Sequence, residues 1–174
     1  MKSMLIGSIL AIGTIVSIYS LNVPSVDGGT INFNDYRGKK ILVVNTATAS
    51  PQSGQLLLLK QLYQQHQDSL VIVAFPSNSF GKEPRDNMAL KQYMRDTLGL
   101  AFPIAVKTDV AGSGSNPVFN WLARKNQNQV TNAATTTDFQ KFLVDKSGNL
   151  VGIFDSSVSP LSTRLQEAIH AGGN

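Results

Sequence analysis

The sequence predicts an α/β fold with a mixed central sheet and helices on both faces. Three observations predict it. Two short apolar runs rich in β-branched residues, Ile41–Val44 and Leu70–Phe75, read as buried strands. Each is followed by residues at helical spacing. A later pair of apolar runs, Phe139–Val144 and Leu150–Phe154, flanks the turn-forming Asp145-Lys146-Ser147-Gly148-Asn149 and reads as a hairpin. The resulting order is β-α-β-α-(α)-β-β-α. Strands separated by helices are expected parallel, and the late pair antiparallel.

The elements follow in chain order. Lys2 precedes an apolar run from Met4 to about Ile18, a positive region followed by a hydrophobic one. The run is shorter than the roughly 20 residues of a spanning helix. Residues 1–17 are therefore expected to be a signal peptide or N-terminal membrane anchor, with one domain over 18–174. Ser17 and Ser20 are small enough to suit a signal peptidase. The predicted location is exported (periplasmic or extracellular) or membrane-tethered. Ser50-Pro51 predicts a helix start, with Ser50 as cap and Pro51 at the first helical position. Leu56, Leu59, Leu62 and His66 continue that helix. Pro84 to Leu98 predicts a second helix with Leu90, Met94 and Leu98 inward, ended by Gly99. Asn116–Lys125 predicts a short helix carrying Phe119 and Leu122, with Trp121 in the core. Ser159-Pro160 predicts the start of the last helix, whose apolar face is Leu161, Leu165, Ala168 and Ile169. Gly112–Ser115 and Thr131–Thr137 are loops by composition.

Composition narrows the chemistry. The chain has 174 residues, 15 Lys and Arg against 11 Asp and Glu, and a net charge of +4. The basic residues are scattered, so the reading is a solvated basic surface and not a nucleic-acid arm. There is no cysteine. That excludes a disulfide, a thiolate ligand, an iron–sulfur site and a lipidated N-terminal cysteine. The two histidines, His66 and His170, lie far apart in the sequence without acidic neighbours at ligand spacing, and no metal site or cofactor is expected. Asp109 with Gly112, Ser113, Gly114 and Asn116 resembles a calcium loop, but the alternating acids and the closing Glu are absent.

Five segments in order carry a resemblance. Asp35-Tyr36-Arg37-Gly38-Lys39 is followed by Ile41-Leu42-Val43-Val44-Asn45-Thr46-Ala47. Phe75-Pro76-Ser77-Asn78 leads into Phe80-Gly81 and Glu83-Pro84. Phe102-Pro103-Ile104 and Asn120-Trp121-Leu122 follow, then Phe139-Gln140-Lys141-Phe142-Leu143-Val144-Asp145 with Gly148. Together they resemble the glutathione peroxidase family, whose fold is thioredoxin-like. The resemblance runs from about Ile18 to Ile169. It implies thiol-dependent reduction of hydroperoxides, a role in oxidative stress, and a thiol carrier, glutathione or thioredoxin, as partner.

The resemblance also locates the family's catalytic tetrad, a Cys or selenocysteine with Gln, Trp and Asn. Ser50 stands at the peroxidatic position, Ser79 at the Gln, and Thr137 and Asp138 at the Trp-Asn pair. All four are substituted. Ser77 matches one resolving-cysteine block. A hydroxyl is far less acidic than a thiol, needs a general base, and cannot pass through a sulfenic acid. The expectation is a degenerate, non-catalytic member acting by binding, to a thiol carrier, an unknown protein or a small molecule in the vacated site. The alternatives are an active peroxidase, as the resemblance alone implies, and a serine hydrolase using Ser50. The hydrolase lacks both a G-x-S-x-G context and a nearby histidine. Asp138 is expected to bond within its own loop, and Ser77 and Ser79 to bond around Asn78.

Overall fold

The computed structural model describes residues 16–172. The apolar run from Met4 and the final glycine tail fall largely outside them. Among the described residues, no helix is long and apolar enough to cross a membrane.

A small hairpin, β1 (Asn22–Pro24) and β2 (Thr30–Asn32), precedes the main sheet. Then follow β3 (Lys40–Thr46), α1 (Gln55–His66), β4 (Leu70–Pro76) and α2 (Asn87–Lys91), which runs on as a π-helical turn over Gln92–Thr97. The chain continues through α3 (Pro117–Ala123), α4 (Lys125–Asn128), β5 (Lys141–Val144), β6 (Leu150–Phe154) and α5 (Thr163–His170). The four-stranded sheet has the order β4-β3-β5-β6. The pair β3–β4 is parallel, while β3–β5 and β5–β6 are antiparallel. The expected mixed sheet is therefore observed, with β3 between a parallel and an antiparallel neighbour.

Both faces are covered, which is why β3 and β4 are apolar along nearly their whole length. Ile41, Val43, Val73, Phe75 and Phe142 face α3 and the N-terminal segment; Leu42, Val44, Ile72, Ala74 and Leu143 face α1, α2 and α5. Phe119 of α3 packs edge-to-face on Phe75 and Phe142, at 5.1 and 6.0 Å between ring centres. Trp121 is buried, and its indole N–H donates to Val16 O at 2.7 Å.

Two helix starts differ from the sequence expectation in the same way. Ser53 N donates to Ser50 O at 2.9 Å, and Ser162 N donates to Ser159 O at 3.0 Å. Each Ser-Pro pair occupies the first two positions of a β-turn, where proline's fixed φ also fits. The helices begin later, α1 behind Gly54 and α5 behind Ser162, whose hydroxyl accepts from Leu165 N at 3.4 Å. Ser50 is thus not the cap of α1. Likewise α2 starts at Asn87, capped by Asp86, not at Pro84. The hairpin turn between β5 and β6 forms as expected. Gly148 there has φ +90°, and a Cβ on it would stand 2.6 Å from the Tyr19 ring.

Candidate functional site

The crevice at the carboxyl end of β3, between its two unlike neighbours, is where an α/β sheet offers a site. Three loops meet there, and buried polar bonds fix them. After β3, Thr48 donates from its N–H and its hydroxyl to the two Glu83 carboxylate oxygens, at 2.8 and 2.7 Å. Ala49 N donates to Lys82 O at 3.0 Å. Glu83 is 1% exposed, so a carboxylate inside the protein locks the loop after β3 to the loop after β4. Before β5, Asn45 holds the third loop from both sides. Its Nδ2 donates to Thr137 O at 2.9 Å, and its own carbonyl accepts from Phe139 N at 2.8 Å. Phe139 has φ +60°, a conformation costly for a side chain with a Cβ and kept here by the bonds to Asn45.

These anchors bring Ser50 and Asp138 together. Ser50 is 3% exposed and Asp138 is 1% exposed. The Ser50 hydroxyl lies within reach of the Asp138 carboxylate. Its single proton, however, goes to Gln52 Oε1 at 2.8 Å. Both Asp138 oxygens are therefore left without a hydrogen-bond partner. This corrects the expectation that Asp138 bonds within its own loop. Burial raises the Asp138 pKa; the Lys82 ammonium pulls it down, and the Glu83 carboxylate adds to the rise. The carboxylate is covered but shallow, so its charge is partly screened.

Ser79 and Thr137 turn elsewhere. Ser79 accepts from Ser77 Oγ at 2.9 Å and from Val110 N at 3.0 Å, which is the expected turn bonding extended to a further loop. The Thr137 hydroxyl donates to Asp138 O at 3.4 Å. Neither bonds to Ser50 or to the Asp138 carboxylate. Cavities of about 340, 390 and 300 Å³ open elsewhere, and none of the three is lined by Ser50, Ser79, Thr137 or Asp138. Of these four residues, Ser50 and Asp138 are buried, while Ser79 and Thr137 are half-buried.

The site holds no histidine beside Ser50. His66 is the last residue of α1 and faces His170, with its Nε2 on Gln166 Oε1 at 3.0 Å. The two histidines, far apart in the chain, meet at the opposite end of α1 from the site. Sequence spacing had no means of showing this.

Lys141 is a further buried ionisable group at this end of the sheet, fully covered, with its ammonium donating to Phe139 O at 2.8 Å. Burial pushes its pKa down to about 8, against an upward pull from Asp155. For a lysine lowered in the folded state, the unfolded chain holds more protons above that value. Stability should therefore rise with pH between about 8 and 10.5, by up to about 1.4 kcal/mol per pH unit. Urea midpoints at several pH values should show a steeper rise in the natural protein than in K141M, where buried Lys40, also lowered, still contributes. An equal slope in both would refute the assignment.

Comparison with known proteins agrees with the geometry. The family model described as glutathione peroxidase matches residues 18–123. The chain belongs to the glutathione peroxidase family. It is 40% identical over 157 residues to a glutathione peroxidase-like peroxiredoxin of Chlamydomonas reinhardtii, covering 88% of this chain and 96% of that one. It is 34% identical over 148 residues to glutathione peroxidase-like peroxiredoxin 2 of Saccharomyces cerevisiae, covering 84% and 91%. The crystal structure of Trgpx in apo form superposes with a TM-score of 0.69 at 26% identity, covering 90% of this chain and 94% of the other. A thioredoxin family thiol:disulfide interchange protein of Chlorobium tepidum shares the fold, at a TM-score of 0.65 and 18% identity over 90% and 97% of the chains. The thioredoxin-like fold and the family are thus established, and this member of the glutathione peroxidase family has no thiol in its sequence.

Proposed function

We propose that the chain is a non-catalytic member of the glutathione peroxidase family that acts by binding a protein partner, a thiol carrier such as thioredoxin foremost. One observation carries the reading: Ser50, which the resemblance matches to the peroxidatic position, gives its proton to Gln52 and not to a histidine, in a chain without cysteine. The burial of Ser50 and Asp138 favours a partner that docks over the loops above a small molecule that enters them. The same observation argues against a hydrolase, since no histidine stands beside Ser50. The apolar leader supports export or tethering.

The test is hydroperoxide consumption by metal-free protein, with glutathione and with a thioredoxin system as reductant. The expected rate equals that of buffer. Turnover that S50A abolishes would overturn the proposal. Labelling of Ser50 by a fluorophosphonate would move the reading to hydrolysis.

A further inference from the structure

We propose that His66 and His170 form a two-histidine site for one divalent transition-metal ion of the zinc or copper class. His66 is the last residue of α1 and His170 the last of α5. Their ring centres are 5.1 Å apart and their planes 72° apart. An ion bound at about 2.0–2.1 Å by one nitrogen of each ring, with tetrahedral angles, sets the ring centres roughly 5 Å apart.

Gln166 orients both rings. Its Oε1 accepts from His66 Nε2 at 3.0 Å, and its backbone carbonyl accepts from His170 Nδ1 at 2.7 Å. A carbonyl oxygen only accepts, so each ring carries its proton on the nitrogen that faces Gln166. In the neutral imidazoles, His66 Nδ1 and His170 Nε2 then hold lone pairs, and neither has a hydrogen-bond partner among the described residues. Ligating imidazoles are held in just this manner, the second N–H bonded to an oxygen that fixes the tautomer.

The end of α5 is also anchored. Lys40 Nζ donates to Ala168 O at 3.0 Å and to Ile169 O at 2.7 Å, and also to Ala171 O. His66 is half-buried and His170 exposed, so water can complete the coordination. Imidazole suits zinc, copper and nickel and not magnesium or calcium. The chain has two histidines and no cysteine, so these rings are all of its imidazole and thiol donors. The site lies away from the tetrad positions and does not depend on the reading of Ser50.

The experiment is calorimetric titration of the untagged, metal-free chain with Zn²⁺ and Cu²⁺, and with Mg²⁺ as the hard-cation control. One equivalent of Zn²⁺ or Cu²⁺ should bind, Mg²⁺ should not, and H66A and H170A should each lose at least tenfold in affinity. Long-range ¹H–¹⁵N spectra of the natural protein keep the test independent of the variants. Zn²⁺ should shift His66 Nδ1 and His170 Nε2 together. Binding no stronger than that of Mg²⁺, unchanged affinity in either variant, or shifts confined to one ring would overturn the site.

Discussion

Restoring the thiol alone should give a sluggish enzyme. S50C is expected to react with hydrogen peroxide at least tenfold more slowly than S50C combined with D138N. A thiol reacts as its thiolate, and an unperturbed cysteine has a pKa of about 8.5. At position 50 two features push that value up. The residue is buried, and it lies beside the Asp138 carboxylate, with Glu83 behind it. The usual counterweight, a helix N-terminus, is displaced here, because α1 begins at Gln55 after a tight turn over Ser50–Ser53. Changing Asp138 to Asn removes the facing charge and adds an N–H donor. Each unit by which the thiol pKa falls toward neutrality raises the thiolate fraction by up to about tenfold. Stopped-flow peroxide consumption, with alkylation rates across pH as a check on the thiol pKa, separates the two variants. Equal rates and equal thiol pKa values would show that Asp138 does not control this position.

What the sequence showed, and what it hid, follows from how local each feature is. The strands β3 and β4 were legible because burial on both faces demands an unbroken apolar run. The β5–β6 hairpin was legible because Asp145 and Gly148 supply turn chemistry within five residues. The hairpin β1–β2 went unread, although Asp27-Gly28-Gly29 marks its turn, because three-residue strands are too short to show alternation. Ser50-Pro51 and Ser159-Pro160 misled for a physical reason: proline's φ suits the second position of a turn as well as the first turn of a helix. Resemblance proposes four tetrad positions. That Asp138 lacks a hydrogen-bond partner could not be read from it, since it depends on where Gln52 directs the Ser50 proton. The meeting of His66 and His170 is likewise tertiary, created by packing α1 beside α5.

The Asp138 carboxylate should cost stability, and D138N should recover it. A buried carboxylate with neither oxygen hydrogen-bonded has lost hydration without replacement. Asparagine fills nearly the same volume without a charge. At pH 7 the gain is expected to be about 1–2 kcal/mol, the lower part of the usual range, because the group is shallow and Lys82 lies nearby. That corresponds to a rise of roughly 3–6 °C in Tm for a domain of this size. The pH dependence gives the sign. Because burial raises the Asp138 pKa, the folded state holds this proton more tightly than the unfolded chain does. Well below the ordinary value of 3.8 the side chain is neutral in both states, so the two proteins should approach equal stability toward the acid end of the range. As pH rises through the ordinary carboxylate range to the raised value, the natural protein loses ground to the variant, and above that value the difference is constant. Denaturant midpoints for both proteins between pH 3.5 and 8 measure this difference directly. A D138N protein no more stable at pH 7 than at pH 3.5, relative to the natural chain, would mean that the Ser50 hydroxyl does turn to the carboxylate. Ser50 and Asp138 would then be a satisfied hydrogen-bonded pair.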